Sequence, residues 1–143
     1  MTIIDFKKKF IFIANEKTGS TSLHNYYKIF LSNDKIYSAR SKNTIPIGRH
    51  FNYQQIKNYL DKRKINIDDF YIFGFIRNPV ERIKSCFCYE RMRKRHKYYI
   101  NNQNYNKYIK NNDEKHFSPI NEVFYNENNK LPNNVHIFKI ENI

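Results

Sequence analysis

The sequence predicts an α/β fold in one domain: a P-loop-like parallel β-sheet flanked by helices. Three observations carry that prediction. Phe10–Ala14 is an unbroken apolar run that gives way to Lys17-Thr18-Gly19-Ser20-Thr21-Ser22 and then to a helical pattern. Phe70–Ile76 is a second, nearly continuous apolar run, followed at once by an Asn78-Pro79 helix start. Its 143 residues suffice for one modest core and are too few for a second full domain. Apolar runs of this length suit strands buried on both faces, and strand–turn–helix units in series build parallel sheets.

Taken in order, the first strand is expected over Lys9–Ala14, and Leu23, Tyr26, Tyr27 and Phe30 recur at helical spacing after it. Ile36–Ala39 reads as a short strand, followed by a polar loop with Pro46, Gly48 and His50. Asn52 with Gln55 three residues later forms a capping-box pattern, and Tyr53, Ile56 and Leu60 give that helix its buried stripe. After the Phe70–Ile76 strand, Asn78 is the N-cap, Pro79 stands at N1 and Glu81 at N3, with Val80, Ile83 and Phe87 as the inner face. Arg91–Lys97 is a dense basic run that suits the negative pole of a helix end. Residues 98–117, with the Asn/Tyr/Lys-rich stretch Asn101–Asn112, read as a mobile polar loop. Ser118-Pro119 opens a short helix, and Val135–Ile140 is a final strand.

Composition narrows the function classes. Hydrophobic residues at 40% and aromatics at 17% exclude wholesale disorder, although the mean hydropathy of −0.84 marks a very polar remainder. A net charge of +13 favours acidic partners, yet abundant Lys, Asn, Ile and Tyr with no Trp also fit a compositionally skewed source. Cys86 and Cys88, at i and i+2 on a helix, point apart and suggest neither a disulfide framework nor a zinc site. With no membrane-span or signal-peptide pattern, the chain reads as soluble and cytoplasmic.

The chemistry lies in the two strand–helix turns. At the first, amides at the helix start and hydroxyls of Thr18, Ser20, Thr21 and Ser22 converge on phosphate-like oxygens, and Lys17 adds a cation. Lys17 precedes Gly19, the reverse of G-x-x-x-x-G-K-[ST], which argues against an ordinary P-loop NTPase. At the second, Arg77 can fork onto a phosphate and Ser85, eight residues on, adds a hydroxyl from the helix flank. Two anion sites at neighbouring strand ends suit a ligand with two separated anionic groups.

These residues resemble a known family. EKTGSTSL looks like the 5′-phosphosulfate loop of the sulfotransferases, and IRNPVERIKSCFCY looks like their 3′-phosphate segment, R-[DN]-P-x-x-R-x-x-S-x-[YF]. The nearest branch is the carbohydrate sulfotransferases that include heparan sulfate 2-O-sulfotransferase, and VHIFKIENI is similar to that family's later strand ending in Glu-Asp/Asn-Leu. The resemblance implies 3′-phosphoadenosine 5′-phosphosulfate as donor, no metal, and a hydroxyl acceptor such as an acidic glycan. It implies that Lys17 contacts the bridging oxygen, that Thr18, Gly19, Ser20, Thr21 and Ser22 cradle the 5′-phosphosulfate, and that Arg77 and Ser85 hold the 3′-phosphate.

The acceptor needs a general base, and His50, between the two motifs, is the first candidate, as the branch carries a catalytic histidine in a similar context. Glu16 is the second candidate, and it stands where the branch commonly has proline, which implies a less rigid loop. Family domains usually extend beyond the Glu-Asn-Ile point. Alternatives therefore remain: a truncated homologue that binds nucleotide without turnover, or a basic polyanion- or nucleic-acid-binding module, against which the paired turns argue.

Overall fold

The computed structural model describes residues 2–30, 37–38, 50–93, 119 and 122–143. Pro46, Gly48, residues 94–97 of the basic run, the 98–117 loop and Ser118 lie outside the described residues. Among the described residues, five strands, β1 (Ile3–Asp5), β2 (Phe10–Ile13), β3 (Tyr37–Ser38), β4 (Tyr71–Ile76) and β5 (Val135–Lys139), form one sheet in the order β3-β1-β2-β4-β5. Among the described residues, three helices, α1 (Ser20–Phe30), α2 (Tyr53–Asp61) and α3 (Pro79–Arg93), accompany it. None of the described helices is long and apolar enough to cross a membrane.

The parallel sheet expected from the sequence holds for three strands and is extended on one side by an antiparallel pair, so the sheet is mixed. β2, β4 and β5 run parallel, with Ile13 beside Gly74 and Gly74 beside Ile137, whereas β1 pairs antiparallel with both β2 and β3. The reason lies in Asp5, whose Oδ1 accepts from the N–H groups of Lys7 at 3.0 Å and Lys8 at 2.7 Å. That side-chain turn folds the lysine-rich segment back and returns the chain as β2. β3 falls inside the expected Ile36–Ala39 span, and β2 and β5 are each shorter than expected by a residue or two.

Alternation along β2 builds two cores. Ile11 and Ile13 face one side, where Ile4, Ile72 and Val135 meet Tyr53, Ile56 and Leu60 of α2, together with Ile67, Phe70 and Phe124. Phe12 and Ala14 face the other side with Ile3, against Leu23 and Tyr27 of α1 and the rings of Phe73 and Phe75. Each fully buried Ile or Phe contributes about 1.5–3 kcal/mol, so the central strands are the anchor of the domain. Gly74 makes room for Phe124: a Cβ there would lie 2.3 Å from Phe124 Cε1 and 2.9 Å from Ile13 O.

Both expected caps form. Asn52 Oδ1 accepts from Gln55 N–H at 2.8 Å while Gln55 Oε1 accepts from Asn52 N–H at 3.0 Å, closing the capping box of α2. Asn78 Oδ1 accepts from Val80 N–H at 2.9 Å and Glu81 N–H at 3.4 Å. The inner face of α3 follows expectation in part: Phe87 is buried and Ile83 half-buried, whereas Val80 is 56% exposed and Arg82 and Cys86 are buried beside Phe87. On α1, Tyr26 is exposed and His24 takes the buried position. Of the short helix expected to open at Ser118-Pro119, the described residues show a 3₁₀ turn at Glu122–Phe124.

Candidate functional site

Parallel pairing places the carboxyl ends of β2, β4 and β5 at one edge of the sheet. From β2 emerges the loop 14–19, from β4 come Arg77 and Asn78, and from β5 comes a 3₁₀ turn, Ile140–Asn142. The three segments touch. Arg77 Nη1 donates to Lys17 O at 3.3 Å, Asn78 N–H donates to Glu141 Oε1 at 2.7 Å, and the α-carbon of Gly19 faces Ile140.

Backbone conformation shapes the first loop. Lys17 (φ 61°) and Gly19 (φ 74°) both take left-handed conformations. Within the turn, Asn15 Oδ1 accepts from Glu16 N–H at 2.8 Å, and Thr18 Oγ1 donates to Asn15 O at 3.1 Å. Thr18 is fully buried, so its hydroxyl braces the turn from inside rather than lining an outer cradle. Beyond the loop, Ser20 is buried at the start of α1, whereas Thr21 and Ser22 are exposed in its first turn. Their N–H groups precede the first helical bond, Leu23 N–H to Gly19 O, and that turn carries no acidic residue. Such a helix start favours negative charge.

The cations sit differently on the two turns. Lys17 Nζ lies 3.7 Å from the centre of the Tyr89 ring on α3, a cation–π contact that draws the ammonium toward that helix. Arg77 is half-buried against the loop. Ser85 lies on the same helix, half-buried. At the start of α3, Asn78 caps the first amides, so the charge of Arg77, rather than open N–H groups, is what this turn offers an anion. Glu141, beside it, has its carboxyl pulled below the ordinary glutamate range, first by the Asn78 N–H bond, then by its own backbone N–H, with Arg77 and Lys139 adding smaller effects.

His50 joins the same loop. Its Nδ1 lies 3.1 Å from Ala14 O and its Nε2 lies 3.9 Å from Glu16 Oε1, so both candidate bases named from the sequence stand side by side. The structure thus brings Lys17, Arg77, His50 and Glu16 to one edge of the sheet. Sequence reasoning missed Tyr89 beneath Lys17 and Ile140 against Gly19; Glu141 was noticed only as part of a terminal motif. Among the described residues, no group of three His, Cys, Asp or Glu is arranged to hold a metal ion.

Fold and site together define a small α/β domain that sets two cationic strand–helix turns side by side. Compared with protein-family models, curated proteins and solved structures, the chain matches none.

Proposed function

We propose that the protein is a sulfotransferase that moves a sulfuryl group from 3′-phosphoadenosine 5′-phosphosulfate to a hydroxyl acceptor, an acidic glycan being the class that its positive charge favours. The observation that carries this reading is the hydrogen bond from Arg77 to Lys17 O, which joins two motifs 60 residues apart into one bipartite site. In that reading the P-loop-like turn and α1 amides receive the 5′-phosphosulfate, with Thr21 and Ser22 adding hydroxyls, and Arg77 with Ser85 receives the 3′-phosphate.

Transfer between oxygens leaves the nucleotide phosphate with additional negative charge. A fixed cation and N–H donors at that point stabilise the transition state. Lys17 supplies the cation on leaving the Tyr89 ring, and His50 accepts the proton of the acceptor hydroxyl.

Calorimetry with 3′,5′-bisphosphoadenosine and 5′-AMP tests the donor class. Preferential binding of the bisphosphate by at least tenfold is expected, since Arg77 and Ser85 contact only the 3′-phosphate. Equal affinity for the two nucleotides would refute the reading.

A further inference from the structure

His50 meets the first loop through both ring nitrogens, and the two contacts differ in kind. Ala14 O, 3.1 Å from Nδ1, is an acceptor without a proton of its own. Nδ1 therefore carries the proton in the neutral ring, and the lone pair resides on Nε2. On that side stands Glu16 Oε1 at 3.9 Å, too long for a direct hydrogen bond and close enough for a charge to be felt. Ala14 is itself fixed, since its N–H donates to Thr2 Oγ1 at 3.4 Å and both residues are buried. The ring is thus referenced to the end of β2.

Resting on the sulfotransferase reading, we propose that Glu16 is the positioning residue of a base assembled from Ala14 O, His50 and Glu16. The carbonyl sets the tautomer, and the carboxylate stabilises the imidazolium that forms when Nε2 is protonated. In the transfer step the acceptor O–H bond breaks and its proton passes to Nε2. The acceptor oxygen forms the new bond to sulfur, and the bond from sulfur to the bridging oxygen breaks, its electron pair leaving with the bisphosphate beside Lys17. No other reactant is required.

Neighbouring charges agree with this division of roles. Among the described residues, Glu16 faces Nε2 from the loop, Lys17 turns its ammonium to Tyr89 on α3, and Arg77 approaches from β4 toward Lys17 O. The residue that replaces the family's usual proline thereby acquires a task that a proline has no carboxylate to perform.

The test uses the full chain with ¹⁵N-labelled histidine, as wild type and as Glu16→Gln. Glu16 is 38% exposed on its side chain, so the substitution leaves the fold intact. The expected spectrum shows neutral His50 protonated at Nδ1. In Glu16→Gln that tautomer and the affinity for 3′,5′-bisphosphoadenosine are kept, while kcat falls about fivefold, the worth of one charge about 4 Å away in water-like surroundings, with 3′-phosphoadenosine 5′-phosphosulfate as donor and heparan sulfate as acceptor. A neutral ring protonated at Nε2, or a kcat that Glu16→Gln leaves unchanged, overturns the proposal. Failure of 3′,5′-bisphosphoadenosine to bind, with the tautomer as expected, overturns the donor reading and upholds the His50 arrangement, so the two fail separately.

Discussion

The guanidinium of Arg77 donates from Nη1 to the main-chain oxygen of Lys17 at 3.3 Å, joining the end of β4 to the loop that follows β2. Because Lys17 is left-handed at φ 61°, its carbonyl orientation differs from that of an ordinary strand continuation, and Arg77 is the group that meets it. Arg77 therefore holds the loop, and on the proposed reading the same guanidinium presents its charge to the nucleotide.

Arg77→Lys keeps the charge and loses the planar fork. Affinity for 3′,5′-bisphosphoadenosine is expected to fall about tenfold to a hundredfold, the worth of roughly one charged hydrogen bond. Calorimetry of the variant checks this, and an unchanged Kd would separate Arg77 from the nucleotide.

Lys17→Ala addresses turnover rather than binding. On the proposed sulfotransferase reading, loss of the Lys17 charge is expected to reduce kcat by about a hundredfold to a thousandfold, with a much smaller change in bisphosphate affinity. A radiolabelled sulfate-transfer assay beside a binding isotherm measures both, and full turnover in the variant would remove Lys17 from the chemistry.

Much of this site was legible before the fold was known, because its features are local. Asn52 and Asn78 cap helices through side chains two or three residues from their targets, and Lys17 and Arg77 follow apolar runs that only strands explain. What the sequence hid depends on contacts distant in the chain. β1 has three residues, and nothing within it reveals that it pairs with two other strands. Val80 carries an apolar side chain on the first turn of α3 yet faces solvent, while Arg82 is buried, a reversal of simple patterning. Thr18 was expected to line the cradle from its residue type and from the family resemblance, and its inward bond to Asn15 O follows from the turn's three-dimensional path.

Gly19→Ala is expected to destabilise the domain by about 1–3 kcal/mol, from a left-handed alanine and a crowded contact together. The added Cβ would lie 2.9 Å from Ile140 Cδ1. Ile140→Val removes that carbon, so the double variant should recover the steric part and retain the conformational part. Urea unfolding of the four-member cycle reads the coupling directly.

Glu141 gives stability a defined acid dependence. Its carboxyl is depressed in the folded state, so the associated stabilisation is present above the ordinary glutamate value of 4.5 and is lost as pH falls through the lower, folded value. The margin of wild type over Glu141→Gln in thermal unfolding should therefore be widest near neutrality and shrink on acidification below about pH 4.5. A margin that grew in acid would contradict the assigned contact.

The slot that Gly74 opens for the Phe124 ring has a metrical consequence. It acts as a detent for the parallel register, since Gly74 lies beside Ile13 and only a residue without Cβ fits there. Sliding β4 by the two residues that preserve its facing would put Ile72 or Ile76 under the ring and carry Arg77 along the strand axis by about 6.6 Å. At that offset the guanidinium no longer reaches Lys17 O. A notch on the α2 side of the sheet, by this measure, calibrates the spacing between the two cations at its edge.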